Sequence, residues 1–240
     1  MCEALEACAN EAPITRVWIG SAGIDADESA RIATEALRCA MPRVHEWTVT
    51  NDAALLCASV PRNRPCVVCI AGTGSVVLAY DAQRTRTKRV GGLGWLLGDE
   101  GSAVGVGRAA LRHVLSEPSP LLDVILAATG AASADDLLSY VYTDDSRTRI
   151  AALAQVVTRA ARDGHAVARR IVQLEAQAMA ACIDRAAPPI PAVCRLGGAL
   201  FGDAGYLAHV LHHIQTPFID TQVVHDICGT AAQSKATRPW

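Results

Sequence analysis

Cys66-Val-Val-Cys-Ile-Ala-Gly-Thr-Gly-Ser75 is an apolar run that breaks into glycines and hydroxyls. Such a run reads as a buried strand ending in a tight turn. The turn presents backbone N–H groups and the hydroxyls of Thr73 and Ser75 to an incoming phosphate. A second glycine-rich stretch follows shortly, Gly91-Gly-Leu-Gly-Trp-Leu-Leu-Gly-Asp-Glu-Gly-Ser102. It supplies a flexible segment and then two adjacent carboxylates, Asp99 and Glu100. Together the two stretches point to phosphate handling beside acid/base chemistry.

Outward from that centre the pattern is α/β, with one strand-rich half and one helix-rich half. Residues 1–11 read as the end of a helix. Arg16–Gly20 reads as a strand running into a small-residue turn. Asp25-Ala-Asp-Glu-Ser29 then caps a helix to about Cys39, with Ile32, Ala36 and Leu37 on one face. A short strand, Trp47–Thr50, ends at Asn51-Asp52, and a short helix covers Ala53–Ser59. Val76–Tyr80 and Thr87–Val90 pair as a hairpin across the basic turn at Arg84–Arg89, a solvated feature. Helices follow almost throughout: Ser102–Leu115, Leu121–Ala128, Ala134–Tyr142, Ile150–Arg162 and Ala166–Asp184. Ala192–Leu196 is a strand opening into Gly197-Gly198, and Gly205–Ile214 is a helix. The stretch from Gly229 has no packing pattern and is expected to fray. Three segments result: 1–60, 61–228 and a tail, 229–240.

Composition narrows the function classes. A chain of 240 residues, 51% hydrophobic, folds around a sizeable core. Its net charge of −2 gives no general affinity for nucleic acid or an anionic membrane. No apolar stretch is long enough to span a bilayer, and the start, Met-Cys-Glu-Ala-Leu-Glu, does not read as a signal peptide. Nine scattered cysteines predict free, mostly buried thiols in a reducing cytoplasm. Cys66 and Cys69 form a C-x-x-C, but on a strand they point to opposite faces.

Several residues carry two readings each. Asp52, at a strand end, faces the mouth of an α/β sheet and can take a proton from a substrate hydroxyl; an Asp there also caps the next helix. Gly72-Thr73-Gly74-Ser75 is a hairpin turn, a phosphate cradle, or both. It lacks the Gly-Lys-Ser/Thr of a P-loop and is no dinucleotide fingerprint. Asp99 and Glu100 suit a helix start, or hydrogen bonds to sugar hydroxyls. Gly197 and Gly198 allow backbone to approach a flat ring, or simply turn the chain. Trp95 is a lid, a stacking ring or core. His209 and His213 lie one helical turn apart, but without a third ligand they read as packing residues.

These pieces in this order resemble the N-acetylglucosamine kinase family, within the BadF/BadG/BcrA/BcrD-type ATPases. The resemblance rests on Thr50-Asn-Asp-Ala53, Ile70–Ser75, Gly91–Ser102, Arg162-Asp-Gly-His165 and Leu196-Gly-Gly198. It implies an actin/hexokinase-like (ribonuclease H-like) two-lobed fold and in-line transfer of the γ-phosphoryl of ATP, with Mg2+, to a small-molecule sugar. By that resemblance Asp52 is the base that activates the sugar 6-hydroxyl. Thr73, Gly74 and Ser75 form the second phosphate-binding hairpin. Gly92, Leu93, Gly94 and Asp99 lie along the sugar. Gly164, Gly197 and Gly198 approach the nucleotide. No nucleic-acid or membrane partner is implied, and a homodimer stays open.

The chain departs from the pattern in three ways. The family's opening strand with Asp-Gly-Gly-Gly-Thr-Lys is not found, so the N-terminal lobe reads as incomplete by roughly sixty residues, about two βα steps. Val76 stands where a polar residue is usual, and Leu93 where an aromatic is usual. The alternatives to a sugar kinase are a catalytically impaired sugar- or nucleotide-binding remnant and an ATPase activator of a dehydratase. The second would need cysteines placed for an iron–sulfur cluster, whereas these lie in apolar runs.

Overall fold

The computed structural model describes residues 14–24 and 26–233. Strands β1 (Arg16–Gly20) and β2 (Glu46–Thr50) pair in parallel, joined by helix α1 (Asp27–Ala40). They enclose a small cluster of Val17, Leu37, Val44, Trp47 and Val49. The expected stripe on α1 is corrected: Leu37 is buried and Ala33 packs beside it, but Ile32 is 57% exposed and Ala36 faces solvent. A two-stranded sheet is too narrow to cover more than one row of side chains. The capping expectation also changes. Ala26 holds the N-cap position with no side-chain bond, and Asp25 lies outside the described residues, as does the helix read over residues 1–11.

A 3-10 helix, Asp52–Ser59, leads to the main sheet. That sheet contains β3 (Cys66–Ala71), β4 (Ser75–Tyr80), β5 (Arg86–Gly91), β6 (Val193–Gly197) and β7 (Thr221–Val223), in the order β5-β4-β3-β6-β7. β3, β4 and β5 form an antiparallel meander, and β6 and β7 extend it in parallel. The continuous apolar run of β3 follows from its position. Val67, Cys69 and Ala71 face the larger core, while Cys66 and Val68 face a second core with Leu56, Cys57 and Leu78. Cys66 and Cys69 therefore do part to opposite faces. Cys57 Sγ, however, lies 3.7 Å from Cys66 Sγ, a contact with no trace in the sequence pattern.

The basic turn after β4 is more than solvated. Asp81 Oδ1 accepts the N–H groups of Gln83 and Thr85, and Arg84 donates to the carbonyls of Val60, Pro61 and Arg64. Arg84 thus fastens the hairpin to the turn before β3.

The remaining helices are α2 (Ala103–Ser116), α3 (Leu121–Thr129), α4 (Ala134–Val141), α5 (Ser146–Arg162), α6 (Ala166–Ala186), α7 (Ala204–His213) and α8 (Ile227–Gln233). α5 starts earlier than apolar periodicity indicates, because Ser146–Arg149 has no apolar residue to register. α2 crosses α5 so closely that a Cβ on Gly107 would stand 1.9 Å from the Ile150 carbonyl oxygen. The expected fraying from Gly229 is corrected through Gln233. α8 is helical to that point, and Ile227 packs on the second core.

Candidate functional site

The two glycine-rich stretches are hydrogen-bonded to each other. The first two amides of α2, Ala103 and Val104, donate to the carbonyls of Gly72 and Thr73 at 2.8 and 3.2 Å. Ser75 Oγ donates to the Glu100 carbonyl at 2.8 Å. Ser102, fully buried, caps α2 by accepting the Gly105 N–H at 3.0 Å. Fixing both stretches this way leaves the tip of the hairpin, Thr73 and Gly74, between two distinct environments.

On one side Thr73 borders a groove of about 790 Å³. Its other walls are the Ala- and Thr-rich face of α5, with Gln155, Thr158, Arg159 and Arg162, and the turn Ala199–Asp203 that follows β6. Arg162 pairs with Asp203, whose Oδ1 also accepts the Tyr206 N–H and so caps α7. Such a mix of small apolar wall, amide, hydroxyl and guanidinium groups suits a flat, anionic ligand.

On the other side stands Asp99. It is 3% exposed and holds a left-handed backbone, φ 63°, which a non-glycine residue rarely adopts. Its Oδ2 lies 2.6 Å from the point where a Cβ on Gly74 would sit, and Arg147 Nη2 lies 3.2 Å from the same point. Any side chain at position 74 would therefore displace the Asp99 carboxylate and crowd Arg147. Glu100, its neighbour, faces solvent.

The loop that carries Asp99 is held by side chains of β5, α2 and α6. Arg89 donates to the carbonyls of Gly91 and Gly92. Arg108 donates to those of Trp95 and Gly98, at 2.7 and 3.1 Å. Glu175 Oε2 accepts the Gly101 N–H at 2.8 Å. Burial raises the Glu175 carboxyl above its ordinary range, opposed by the Gly101 N–H and by Arg108. Trp95 packs on the main core, whereas Leu93, Leu96 and Leu97 are 64, 73 and 79% exposed. Gly92 and Gly94 both have positive φ.

Asp52 stands at the end of β2, as the first residue of the 3-10 helix, away from the hairpin-side groove. Asn51 occupies the cap position, and its Oδ1 accepts the Ala53 N–H at 3.0 Å. Asp52 Oδ1 shares that N–H. Capping is thus divided between the two residues, and Asp52 Oδ2 has no hydrogen bond among the described residues.

The three glycines expected near a nucleotide have structural work of their own. Gly164 has φ 97°, its N–H reaches the Ala161 carbonyl, and the His165 N–H reaches that of Ala160. That is the double bond of a Schellman helix ending, at the foot of the groove wall but not in it. A Cβ on Gly197 would meet Ile227 and Leu56 in the second core. A Cβ on Gly198 would lie 2.5 Å from the Ala71 carbonyl oxygen, so what approaches this glycine is the end of β3. His213 Nδ1 contacts the His209 carbonyl, and the described residues contain no cluster of three His, Cys, Asp or Glu able to hold a metal. No helix among them is long and apolar enough to cross a membrane.

Sequence reading missed Arg108, Arg162, Glu175, Asp203 and Tyr206. Each acts through a contact far along the chain. Only Arg162 and Asp203 carried a hint, beside the Asp-Gly-His and Gly-Gly segments.

The fold places the chain among actin/hexokinase-like two-lobed proteins. A Porphyromonas gingivalis protein assigned as an N-acetylglucosamine kinase superposes with a TM-score of 0.75 at 22% identity, over 92% of this chain and 78% of that one. A glucokinase of the ROK family from Streptomyces griseus superposes with a TM-score of 0.68 at 16% identity, over 97% and 85%. The chain belongs to the BadF/BadG/BcrA/BcrD ATPase family, whose model matches residues 2–230. The N-acetylmuramic acid/N-acetylglucosamine kinase of Clostridium acetobutylicum is 30% identical over 178 residues, 71% of this chain and 56% of that protein. The chain thus spans little more than half of that relative's length.

Proposed function

We propose that this chain serves an ATP-dependent sugar kinase that phosphorylates the 6-hydroxyl of N-acetylglucosamine or a related amino sugar. The observation that carries the reading is the hairpin tip, with Thr73 on the groove and Gly74 against the Asp99 carboxylate. A phosphoryl group held at that tip would face a nucleotide site on one side and a hydroxyl-binding carboxylate on the other. The family match and the printed activity of the Clostridium acetobutylicum relative support the same reading.

In this reading the adenosine side of ATP occupies the groove, and the Gly72–Ser75 hairpin orients its phosphates. Because α2 has used its first amides on the hairpin carbonyls, it contributes its dipole and a rigid support. Asp99, together with Gly92, Leu93 and Gly94, lines the sugar. Asp52 takes the proton from the 6-hydroxyl as the new O–P bond forms and the bond to the ADP oxygen breaks. Mg2+ would enter on the nucleotide phosphates, which with water supply most of its ligands. When bound, it neutralises phosphate charge. The buried thiols do not favour a dehydratase activator: five of the seven described cysteines are buried, and only Cys39 and Cys228 are exposed.

The test is ATP-dependent phosphorylation of N-acetylglucosamine, beside calorimetric titration of the sugar, for the native chain and for Asp52→Asn. The substitution should lower turnover by about a hundredfold to ten-thousandfold, the range of losing a general base, while sugar affinity holds. Equal loss of both would remove Asp52 from the base role.

A further inference from the structure

Tyr206 is fully buried in the first turn of α7, and its ring stands edge-on to Phe201 with centroids 5.8 Å apart. At its backbone end, the Tyr206 N–H donates to Asp203 Oδ1, and Asp203 is both a groove wall and the partner of Arg162. At its far end, the phenol oxygen donates to the Gly101 carbonyl at 2.5 Å, across 105 residues of sequence. The other peptide group of Gly101 is held by Glu175. Asp99 lies two residues upstream of that clamp. One residue downstream, Ser102 caps α2, whose first amides hold the phosphate hairpin.

A continuous set of bonds therefore runs from Arg162 and Asp203, through a rigid aromatic ring, to the turn that carries Asp99. A fully buried tyrosine bonded at its backbone N–H and at its phenol oxygen transmits a shift of the α7 N-terminus, and a buried hydroxyl has no water to fall back on if its acceptor moves. We infer that Tyr206 is a positioning residue that couples occupation of the α5/α7 groove by a nucleotide to the placement of the Asp99 loop. This rests on the proposed assignment of the groove to the nucleotide and of Asp99 to the sugar. It gives the two substrates a way to bind in concert, each favouring the same arrangement of the turn.

The experiment measures amide hydrogen exchange at residues 98–102 with and without a non-hydrolysable ATP analogue, with analogue binding followed by calorimetry in the same samples. The native chain should show about fivefold or greater slowing at Gly101 and Ser102 on adding the analogue, and Tyr206→Phe less than about twofold, with analogue affinity held within about twofold. Asp203→Asn, which breaks the path at its groove end and leaves the phenol in place, should also lose the slowing. Analogue binding with equal slowing in all three proteins would reduce Tyr206 to a core residue and overturn the inference. So would analogue binding that produces no slowing in the native chain. No analogue binding at all would instead bring down the assignment of the groove, and the inference with it.

Discussion

The Gly72–Ser75 hairpin and the carboxylate loop are both glycine-rich, yet they are held in opposite ways. Gly72–Ser75 is fixed by its flanking strands, by two α2 amides and by one hydroxyl of its own. Gly91–Gly101 has little hold of its own and depends on Arg89, Arg108, Glu175 and Tyr206. The hairpin is a local structure with a rigid surround. The loop is a soft segment whose shape is imposed by side chains from three helices and from β5. In the proposed assignment, a site made from both would keep the anion side fixed and leave the sugar side adjustable, an arrangement suited to closure on a substrate.

Substitutions that act on backbone fit should strike hardest beside the hairpin. Gly198→Ala puts a methyl 2.5 Å from the Ala71 carbonyl oxygen at a residue with φ 106°. It should destabilise the chain by about 3–5 kcal/mol, read from the urea midpoint. A loss under about 1 kcal/mol would mean that β3 yields easily and that the contrast with the loop is false.

Arg108→Ala removes the donor shared by the Trp95 and Gly98 carbonyls. A stability loss of about 1–3 kcal/mol is expected from the two orphaned acceptors. The KM for sugar should rise about tenfold, near 1.4 kcal/mol of binding, with the KM for ATP little changed. A larger effect on ATP would show that the loop belongs to the nucleotide side.

The smallest effect is the pH dependence that Glu175 imposes. Its folded carboxyl sits above the ordinary value of 4.5, chiefly through burial. Below that value it is protonated in both the folded and unfolded states. As pH rises the unfolded chain releases the proton first, so the folded state holds more protons and stability falls until the raised value is passed. Glu175→Gln lacks this term. The stability of the native chain relative to the variant should therefore be greatest near about pH 4 and decline toward neutrality. A flat difference would show that Glu175 is not driven upward by its surroundings.

The sequence made the hairpin legible because each determinant is local: the apolar run, the Gly-Thr-Gly-Ser break and the basic partner strand. Resemblance extended that to the fold class. The loop was legible only as a glycine run followed by two carboxylates. What distinguishes Asp99, buried and left-handed, from exposed Glu100 is its place against the Gly74 hairpin tip, where Arg147 of α5 also reaches, which no spacing of neighbours encodes. Gly164 shows the reverse case. Its place in a matching segment suggested ligand contact, while the bonds around it describe a helix ending. β7 and α8 escaped because three and seven residues give too little periodicity to detect.

The alternation along β3 has a thermodynamic side. With one face in each of two cores, this strand ties both into a single cooperative unit, since neither can melt without exposing the other. The Val17–Val49 cluster shares no strand with that unit and is free to open at lower free energy. The seam falls between Thr50 and Ala53, for Val49 belongs to the small cluster and Ala53 to the second core. Asp52 sits on that seam at the head of the 3-10 helix, so a tilt of the small sheet would leave its carboxylate anchored to the stable body.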